Sequence, residues 1–232
     1  MGCGASAPAK LLPQQPPTVS YLFGTATDGE ATVTMPEYDK SKPGNVLPVS
    51  LDGKTIAQID GRSFKGNSWA KKAEALAHLT PVKGADGQLV ALVATIPKIE
   101  PAQTQMFNFS SKIFSAVPRV DGLKSEMVHD GVALYPWAIV SPRMSMMAQY
   151  YTDIQLATPS GSEPFANLSF VAFNNQLYAG VLKLTDGSAV GKFARAGGVT
   201  SYTAAAGVDV GLFVAVHVAS VKICRDSFTG GA

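Results

Sequence analysis

Short apolar runs separated by Asp-Gly dipeptides recur along this chain, and they constrain its fold more than any other sequence feature. Asp-Gly between two such runs is a strong β-hairpin signal, because both central residues of a type I′ turn need a positive φ. The clearest case is the run 177–184, then Asp186-Gly187, then the run 189–195. Similar breaks stand at Asp52-Gly53, Asp60-Gly61, Asp86-Gly87, Asp121-Gly122, Asp130-Gly131 and Gly197-Gly198. This spacing predicts an antiparallel sandwich or barrel.

One apolar run, residues 208–224, is long for a strand and apolar on almost every side. A helix of this kind must be buried in protein or in a membrane. The run has 17 residues, fewer than the roughly 20 that a span needs, and it contains Asp209, His217 and Lys222. Periodicity alone would also permit a strand. We favour a buried helix with His217 as a satisfied core or end-of-barrel residue, and we expect a short surface helix or an irregular turn at residues 68–79.

Three segments resemble a known family: residues 131–138 (GVALYPWA), the hairpin around Asp186-Gly187 with residues 190–192 (VGK), and residues 206–212 (AGVDVGL). Together they resemble the tubby C-terminal-like superfamily, in particular the plant LURP-one-related proteins; the superfamily also includes the phospholipid scramblases. The resemblance covers about residues 130–225, and it extends in style over residues 45–100. It implies a mainly β fold, a closed antiparallel barrel of about twelve strands around a central hydrophobic C-terminal helix.

The first six residues, MGCGAS, match an N-myristoylation signal, with Gly2 as the acceptor and Ser6 at the required position. One myristoyl chain holds a protein on a bilayer only marginally, so stable anchoring needs a second signal. A polybasic patch is absent, since Lys10 is the only charged residue before Asp28. We therefore predict that Cys3 is palmitoylated and that Gly2 and Cys3 together form the lipid anchor.

Prolines follow the acylation signal closely, at Pro8, Pro13, Pro16 and Pro17. Proline at this density blocks helix and sheet and favours extended chain. The sequence thus predicts three parts: an acylated, flexible tether over residues 1–20, a barrel domain over residues 21–225, and a short flexible tail over residues 226–232.

The charge of the chain gives little guidance on partners. Its formal net charge is +2, whereas a nucleic-acid-binding domain needs a basic face, so we expect no nucleic-acid partner. Lys183, Lys192 and Arg195 flank one hairpin, and side chains two apart on a strand share a face. These three residues are candidate contacts for anionic lipid; ordinary solvated charge is the alternative interpretation.

No catalytic constellation can be assembled from the sequence. The three histidines have no metal-ligand spacing, and neither a phosphate-binding P-loop nor a dinucleotide-binding motif is present. The two cysteines, Cys3 and Cys224, are too few for a disulfide framework and indicate reduced thiols in the cytosol. We expect a non-enzymatic protein without a metal or cofactor.

These expectations combine into one hypothesis and two alternatives. The hypothesis is a peripheral protein on the cytoplasmic face of the plasma membrane or an endomembrane. Acyl chains would attach it, and its barrel would bind lipid headgroups or a protein partner; the resemblance implies a phosphoinositide-like headgroup. The first alternative is a phospholipid scramblase or lipid-transfer protein, although the chain lacks an internal cysteine cluster. The second is a signalling adaptor that binds only protein.

Overall fold

The computed structural model of the protein describes residues 10–12, 29–37, 46–61, 78–97, 109–144, 150–173 and 176–229. Within these ranges the chain forms thirteen strands and one helix. In chain order they are β1 (Ala31–Pro36), β2 (Val46–Leu51), β3 (Lys54–Asp60), β4 (His78–Gly84), β5 (Leu89–Pro97), β6 (Phe109–Ser115), β7 (Met127–His129), β8 (Val132–Met144), β9 (Tyr150–Thr158), β10 (Gly161–Phe173), β11 (Gln176–Leu184), β12 (Ala189–Ala196), β13 (Val199–Ala204) and α1 (Val210–Thr229).

Twelve of these strands form a closed antiparallel barrel. The order around it is β6-β5-β4-β3-β2-β1-β13-β12-β11-β10-β9-β8, and β8 pairs with β6 to close the ring. The remaining strand, β7, forms a hairpin with the start of β8, from Met127 opposite Leu134 to His129 opposite Val132. The fold class predicted from the sequence, a mainly β barrel with a C-terminal helix, is confirmed.

Asp-Gly dipeptides close four of the hairpins, but with two different turn geometries. At Asp52-Gly53 and Asp130-Gly131 both residues have positive φ, as a type I′ turn requires. At the other two turns only the glycine does, with φ of 81° at Gly87 and 86° at Gly187. There the preceding aspartate accepts a hydrogen bond from the backbone N–H two residues on, at 3.0 Å for Asp86 and 2.8 Å for Asp186. Of the other two Asp-Gly dipeptides, Asp60-Gly61 ends β3 and Asp121-Gly122 lies in the connection between β6 and β7, so the dipeptide predicts both the hairpin and the turn type only in part.

The helix α1 lies inside the barrel, as predicted. It begins after Asp209, whose Oδ1 accepts a hydrogen bond of 2.7 Å from the Gly211 N–H. Every side chain from residue 210 to 220 is buried, and fully burying each valine, leucine or phenylalanine contributes about 1.5–3 kcal/mol. The helix ends at Thr229, so it continues past residue 225, where we expected the barrel domain to end. The reason is local: Gly230-Gly231 is the first helix-breaking pair after the apolar run.

The interior of the barrel changes character along the helix. We call the end that carries Asp52-Gly53, Asp186-Gly187 and the start of α1 the helix-entry end, and the end that carries Gly197-Gly198 the helix-exit end. Buried side chains near the helix-entry end are apolar, with Ser115 and Asp209 as exceptions. Towards the helix-exit end, the buried interior residues include Thr80, Thr95, Ser111, Thr152, Thr200, His217, Ser220 and Lys222.

One side of the outer wall is covered by the chain itself. The hairpin of β7 and β8 packs on β4, β5 and β6 and encloses a small second apolar cluster: Leu89, Leu92, Ala94, Phe114 and Leu134. The strands opposite this cover in the ring are β11, β12 and β13. Of the segment 68–79, His78 and Leu79 belong to β4 instead of a helix or a turn, and residues 68–77 lie outside the described residues.

Candidate functional site

The three predicted basic contacts lie on β11 and β12, but they do not share one face. Gly191 and Phe193 face the interior, because a Cβ at Gly191 would lie 2.8 Å from the Phe213 ring and the Phe193 ring packs edge-on against it. Lys192, between them, therefore points outward. Lys183 also points outward, because it lies between two buried leucines on β11. The register places Val181 opposite Lys192, so the two lysines are diagonal neighbours on the outer wall.

Arg195 is separated from the two lysines, since it lies three residues from Lys192 and faces inward like Phe193. Its guanidinium forms an ion pair with Glu37 at the helix-exit end, and Cζ lies 5.1 Å from the centre of the Tyr178 ring. The arginine side chain is 22% exposed and that of Glu37 19%. Burial lowers the pKa of Arg195, but a guanidinium stays protonated in proteins. The ion pair joins β12 to the end of β1, a contact that the sequence did not reveal.

Below Arg195, inside the barrel, His217 packs against two aromatic rings. Its ring centre lies 4.5 Å from that of Phe193 and 5.1 Å from that of Tyr202, both in edge-on geometry. Burial, and secondarily the charge of Arg195, lowers the pKa of His217 from 6.5 to about 3. Its Nδ1 has no hydrogen-bond partner among the described residues, contrary to the satisfied histidine that we expected. The imidazole is neutral at physiological pH and serves as a packing group.

The other buried polar groups of the helix-exit half bond mainly to one another. Thr95 and Ser111 hydroxyls lie 3.0 Å apart, and those of Thr152 and Ser220 lie 3.2 Å apart. Burial strongly raises the pKa of Tyr202, and the nearby Thr200 hydroxyl partly opposes that rise. The Tyr202 hydroxyl nevertheless forms no hydrogen bond of normal geometry with a described residue. Among the described residues no group of histidine, cysteine, aspartate or glutamate side chains is arranged to hold a metal ion. This region can stabilise the barrel, and we assign it no reaction.

A contact that the sequence did not predict joins the N-terminal segment to β12. Leu11, within the predicted tether, is 8% exposed and belongs to the main apolar core. The Leu12 N–H donates a hydrogen bond of 2.8 Å to the Ala189 carbonyl, at the start of β12. Ala189 lies opposite Lys183 in the register. The only sequence signal for this contact is the apolar pair Leu11-Leu12, in a segment that is otherwise rich in small residues and prolines.

Lys10, Lys183 and Lys192 therefore belong to one region of the molecule, which we call the basic hairpin face. Lys10 and Lys183 are exposed and Lys192 is partly exposed. None of the three forms an ion pair with any residue that the structure describes. Lys54, Lys83 and Lys124 also lack ion pairs with described residues, whereas Lys112, Arg119 and Arg143 pair with Glu126, Glu163 and Asp153, at 3.3, 3.4 and 2.5 Å.

Among the grooves that the described residues form on the outer wall, two lie away from the basic hairpin face. The larger, of about 440 Å³, lies between β2, β3, β4 and the β7–β8 turn, and its charged lining residues are Asp60, Lys83 and Asp130, with His129 beside them. The smaller, of about 280 Å³, lies beside the Lys112–Glu126 ion pair. Both grooves mix the two signs of charge, so neither provides a uniformly basic pocket.

The predicted anchor residues Gly2, Cys3 and Ser6 lie outside the described residues. Among the helices that are described, none combines the length and apolarity needed to cross a membrane. A comparison with protein-family models matched no family, and a search of curated proteins found no similar chain. Function must therefore be inferred from the fold, the basic hairpin face and the N-terminal motif.

Proposed function

We propose that the chain is a non-enzymatic, lipid-anchored peripheral membrane protein whose barrel binds anionic headgroups, of the phosphoinositide kind, on the cytosolic leaflet. The observation that carries the proposal is the basic hairpin face. Two outward lysines without ion pairs within the described chain lie beside the point where the N-terminal segment meets the barrel. The same segment begins with the acylation motif at Gly2 and Cys3. The tubby-like resemblance of the barrel agrees with a headgroup-binding role.

The magnitudes support a combined anchor. A single myristoyl chain binds a bilayer with an association constant on the order of 10⁴ M⁻¹, which is marginal. Each lysine near an anionic leaflet adds about 1 kcal/mol. Lys10, Lys183 and Lys192 together would strengthen binding about a hundred-fold, because every 1.4 kcal/mol is about a factor of ten. A palmitoyl group on Cys3 would then make the attachment stable.

The test is flotation of the myristoylated full chain with vesicles of phosphatidylcholine alone or with added phosphatidylserine or a phosphoinositide. We expect co-flotation that increases strongly with anionic lipid and is nearly lost in Gly2→Ala, which cannot be acylated. In cells, the same variant should move from membranes to the cytosol. Unchanged membrane association of Gly2→Ala would refute the anchor.

The two alternatives make different predictions in related assays. A scramblase would expose fluorescent lipid from the inner leaflet of vesicles, with or without calcium, whereas the proposed protein leaves the leaflets unmixed. An adaptor would be recruited by its acyl chains equally to neutral and to anionic vesicles, because its barrel would contact only protein. Equal flotation on the two vesicle types would therefore refute headgroup binding and leave the anchor standing.

A further inference from the structure

The contact of Lys10–Leu12 with the barrel divides the N-terminal region into two lengths. From Gly2 to Lys10 the chain has eight residue steps, and from Gly2 to Glu30, next to β1, it has 28. A fully extended chain spans at most about 3.6 Å per residue, so the first length reaches at most about 29 Å and the second about 100 Å. Whether Leu11 is docked thus decides how far the barrel can lie from an acyl group on Gly2.

We infer that the docking of Leu11 orients the barrel on the membrane, so that the basic hairpin face is turned toward the anionic leaflet. The inference rests on the proposed function. Leu11 is held by burial in the core, and Leu12 by a backbone hydrogen bond to Ala189. Packing therefore fixes the position of the segment, and the hydrogen bond fixes the direction of its backbone. The partner is an anionic lipid surface, because Lys10, Lys183 and Lys192 lie around the docking point without ion pairs in the described chain and outnumber the one exposed carboxylate of the hairpin turn, Asp186.

The geometry of the ring explains why the contact selects one orientation. The docking point lies on β12, and β5, beneath the β7–β8 hairpin, lies six strands away on the opposite side of the twelve-strand ring. A connection of at most about 29 Å that starts at β12 favours the near side of the barrel strongly over the far side. Released from β12, the connection would be about 3.5 times longer, and the effective concentration of the basic hairpin face at the membrane would fall about six-fold.

Two variants release the segment by different means. Leu11→Asp removes the apolar side chain from the core, and Leu12→Pro removes the N–H that donates to Ala189 while it leaves Leu11 in place. Leu11→Met is the matched control, since methionine retains volume and apolarity. Because β1 to β13 and α1 are unchanged in all three, circular dichroism and thermal unfolding show whether each barrel is folded.

Orientation is read from a bimane label quenched by headgroup spin-labelled lipid in phosphatidylcholine vesicles that contain phosphatidylserine. The label is placed at Ala194→Cys on the outer wall of β12 or at Val128→Cys on β7, both exposed positions, in a Cys3→Ser, Cys224→Ala background that is still myristoylated. We expect much stronger quenching at 194 than at 128. In Leu11→Asp and Leu12→Pro the ratio of the two should fall by about six-fold, and in Leu11→Met it should be unchanged.

The outcomes separate this inference from the proposed function. Vesicle binding with equal quenching at both positions, or a ratio that is unchanged in a folded Leu11→Asp and Leu12→Pro, would overturn the docking inference while the anchor stands. No binding to any vesicle would instead overturn the proposed function. On purely neutral vesicles the short connection alone should still favour position 194, but less than on anionic vesicles; an equal preference on the two vesicle types would count against the lysines as the lipid contact.

Discussion

His217 is a titratable residue that the fold holds in its neutral form. The imidazole is enclosed by Phe193 and Tyr202, and Arg195 adds a positive charge nearby. Both effects disfavour a second positive charge at this point of the core. The residue therefore links the stability of the barrel to pH.

The first prediction concerns the pH dependence of this stability. The folded pKa of His217, about 3, lies below the unfolded value of 6.5, so the unfolded state binds the proton more readily between these values. The contribution of the neutral imidazole is complete above pH 6.5 and is lost as the pH falls towards about 3. From about pH 7 to about pH 4, the free energy of unfolding should drop by roughly 3 kcal/mol through this residue.

Urea unfolding of the wild type and of His217→Leu at several pH values checks this expectation. The leucine variant should lack this part of the acid sensitivity and retain that of the carboxylates. Equal losses in the two proteins over the same pH range would contradict the account of His217.

Single residues also show where sequence reasoning fails. The outward orientation of Lys183 and Lys192 follows from the alternation of a strand once its buried neighbours are known. The inward orientation of Arg195 follows from the same alternation, since it lies three residues along β12 from Lys192, but its ion pair did not follow because its partner, Glu37, is distant in sequence. The ion pair belongs to the closure of the barrel, which local patterns do not encode.

Among the elements, the β4–β5 and β11–β12 hairpins, whose turns lie 100 residues apart, share the same turn and the same register shift. Gly87 N–H donates to the Gly84 carbonyl at 3.0 Å, and Gly187 N–H donates to that of Leu184 at 2.9 Å. In both hairpins a register shift follows the turn, and the shifted residue is a valine, Val90 or Val190. Its carbonyl accepts a hydrogen bond from the residue after the next strand, Ala116 or Ala205. The Asp-Gly turns of these hairpins are local sequence signals, and they allowed the strands to be predicted from the sequence.

The second prediction concerns the start of α1. Asp209 is fully buried and caps the helix through the Gly211 N–H, and its negative charge also suits the positive end of the helix dipole. Asp209→Ala should lower the free energy of unfolding by about 1–2 kcal/mol, and Asp209→Asn, which retains an acceptor oxygen, by less. Chemical denaturation of the three proteins is the measurement; an asparagine variant as unstable as the alanine variant would exclude the capping role.

The helix illustrates what the sequence does and does not determine at this scale. Its existence and position were predicted, because few structures other than a buried helix can bury an apolar run of this length that follows a helix start signal. Its last turn was missed, since residues 225–229 (RDSFT) are mostly polar and the prediction stopped at Cys224, where the hydrophobic pattern stops. Helices continue until a breaker residue or a change of packing ends them.

At the scale of the whole molecule, the barrel class was predicted and two long-range features were not. One is the covering of β4 to β6 by the β7–β8 hairpin. The other is the docking of Leu11 on the core across more than 170 residues of sequence, with Leu12 bonded to Ala189. The prolines around Leu11 indicate a tether. No signal in the neighbouring sequence shows that Leu11 and Leu12 contact β12. Contacts of this kind depend on how the ends of the chain meet, which periodicity does not specify.

If the basic hairpin face contacts an anionic leaflet, membrane binding depends on the positions of its lysines. The most direct measurement is the vesicle partition coefficient of the myristoylated protein as a function of phosphatidylserine content, for the wild type and two charge-matched variants. Lys183→Glu/Lys192→Glu reverses the proposed contact. Lys54→Glu/Lys124→Glu makes the same charge change at exposed positions elsewhere on the molecule.

We expect the partition coefficient of the first variant to fall about thirty-fold or more on phosphatidylserine-rich vesicles, because each lysine near the surface contributes about 1 kcal/mol. On neutral vesicles its partition coefficient should be unchanged. The second variant should retain most of the wild-type partitioning, since Lys54 on β3 and Lys124 before β7 are several strands from β11 and β12 around the ring. Equal losses in the two variants would mean that only net charge matters, and that result would contradict the assignment of the basic hairpin face.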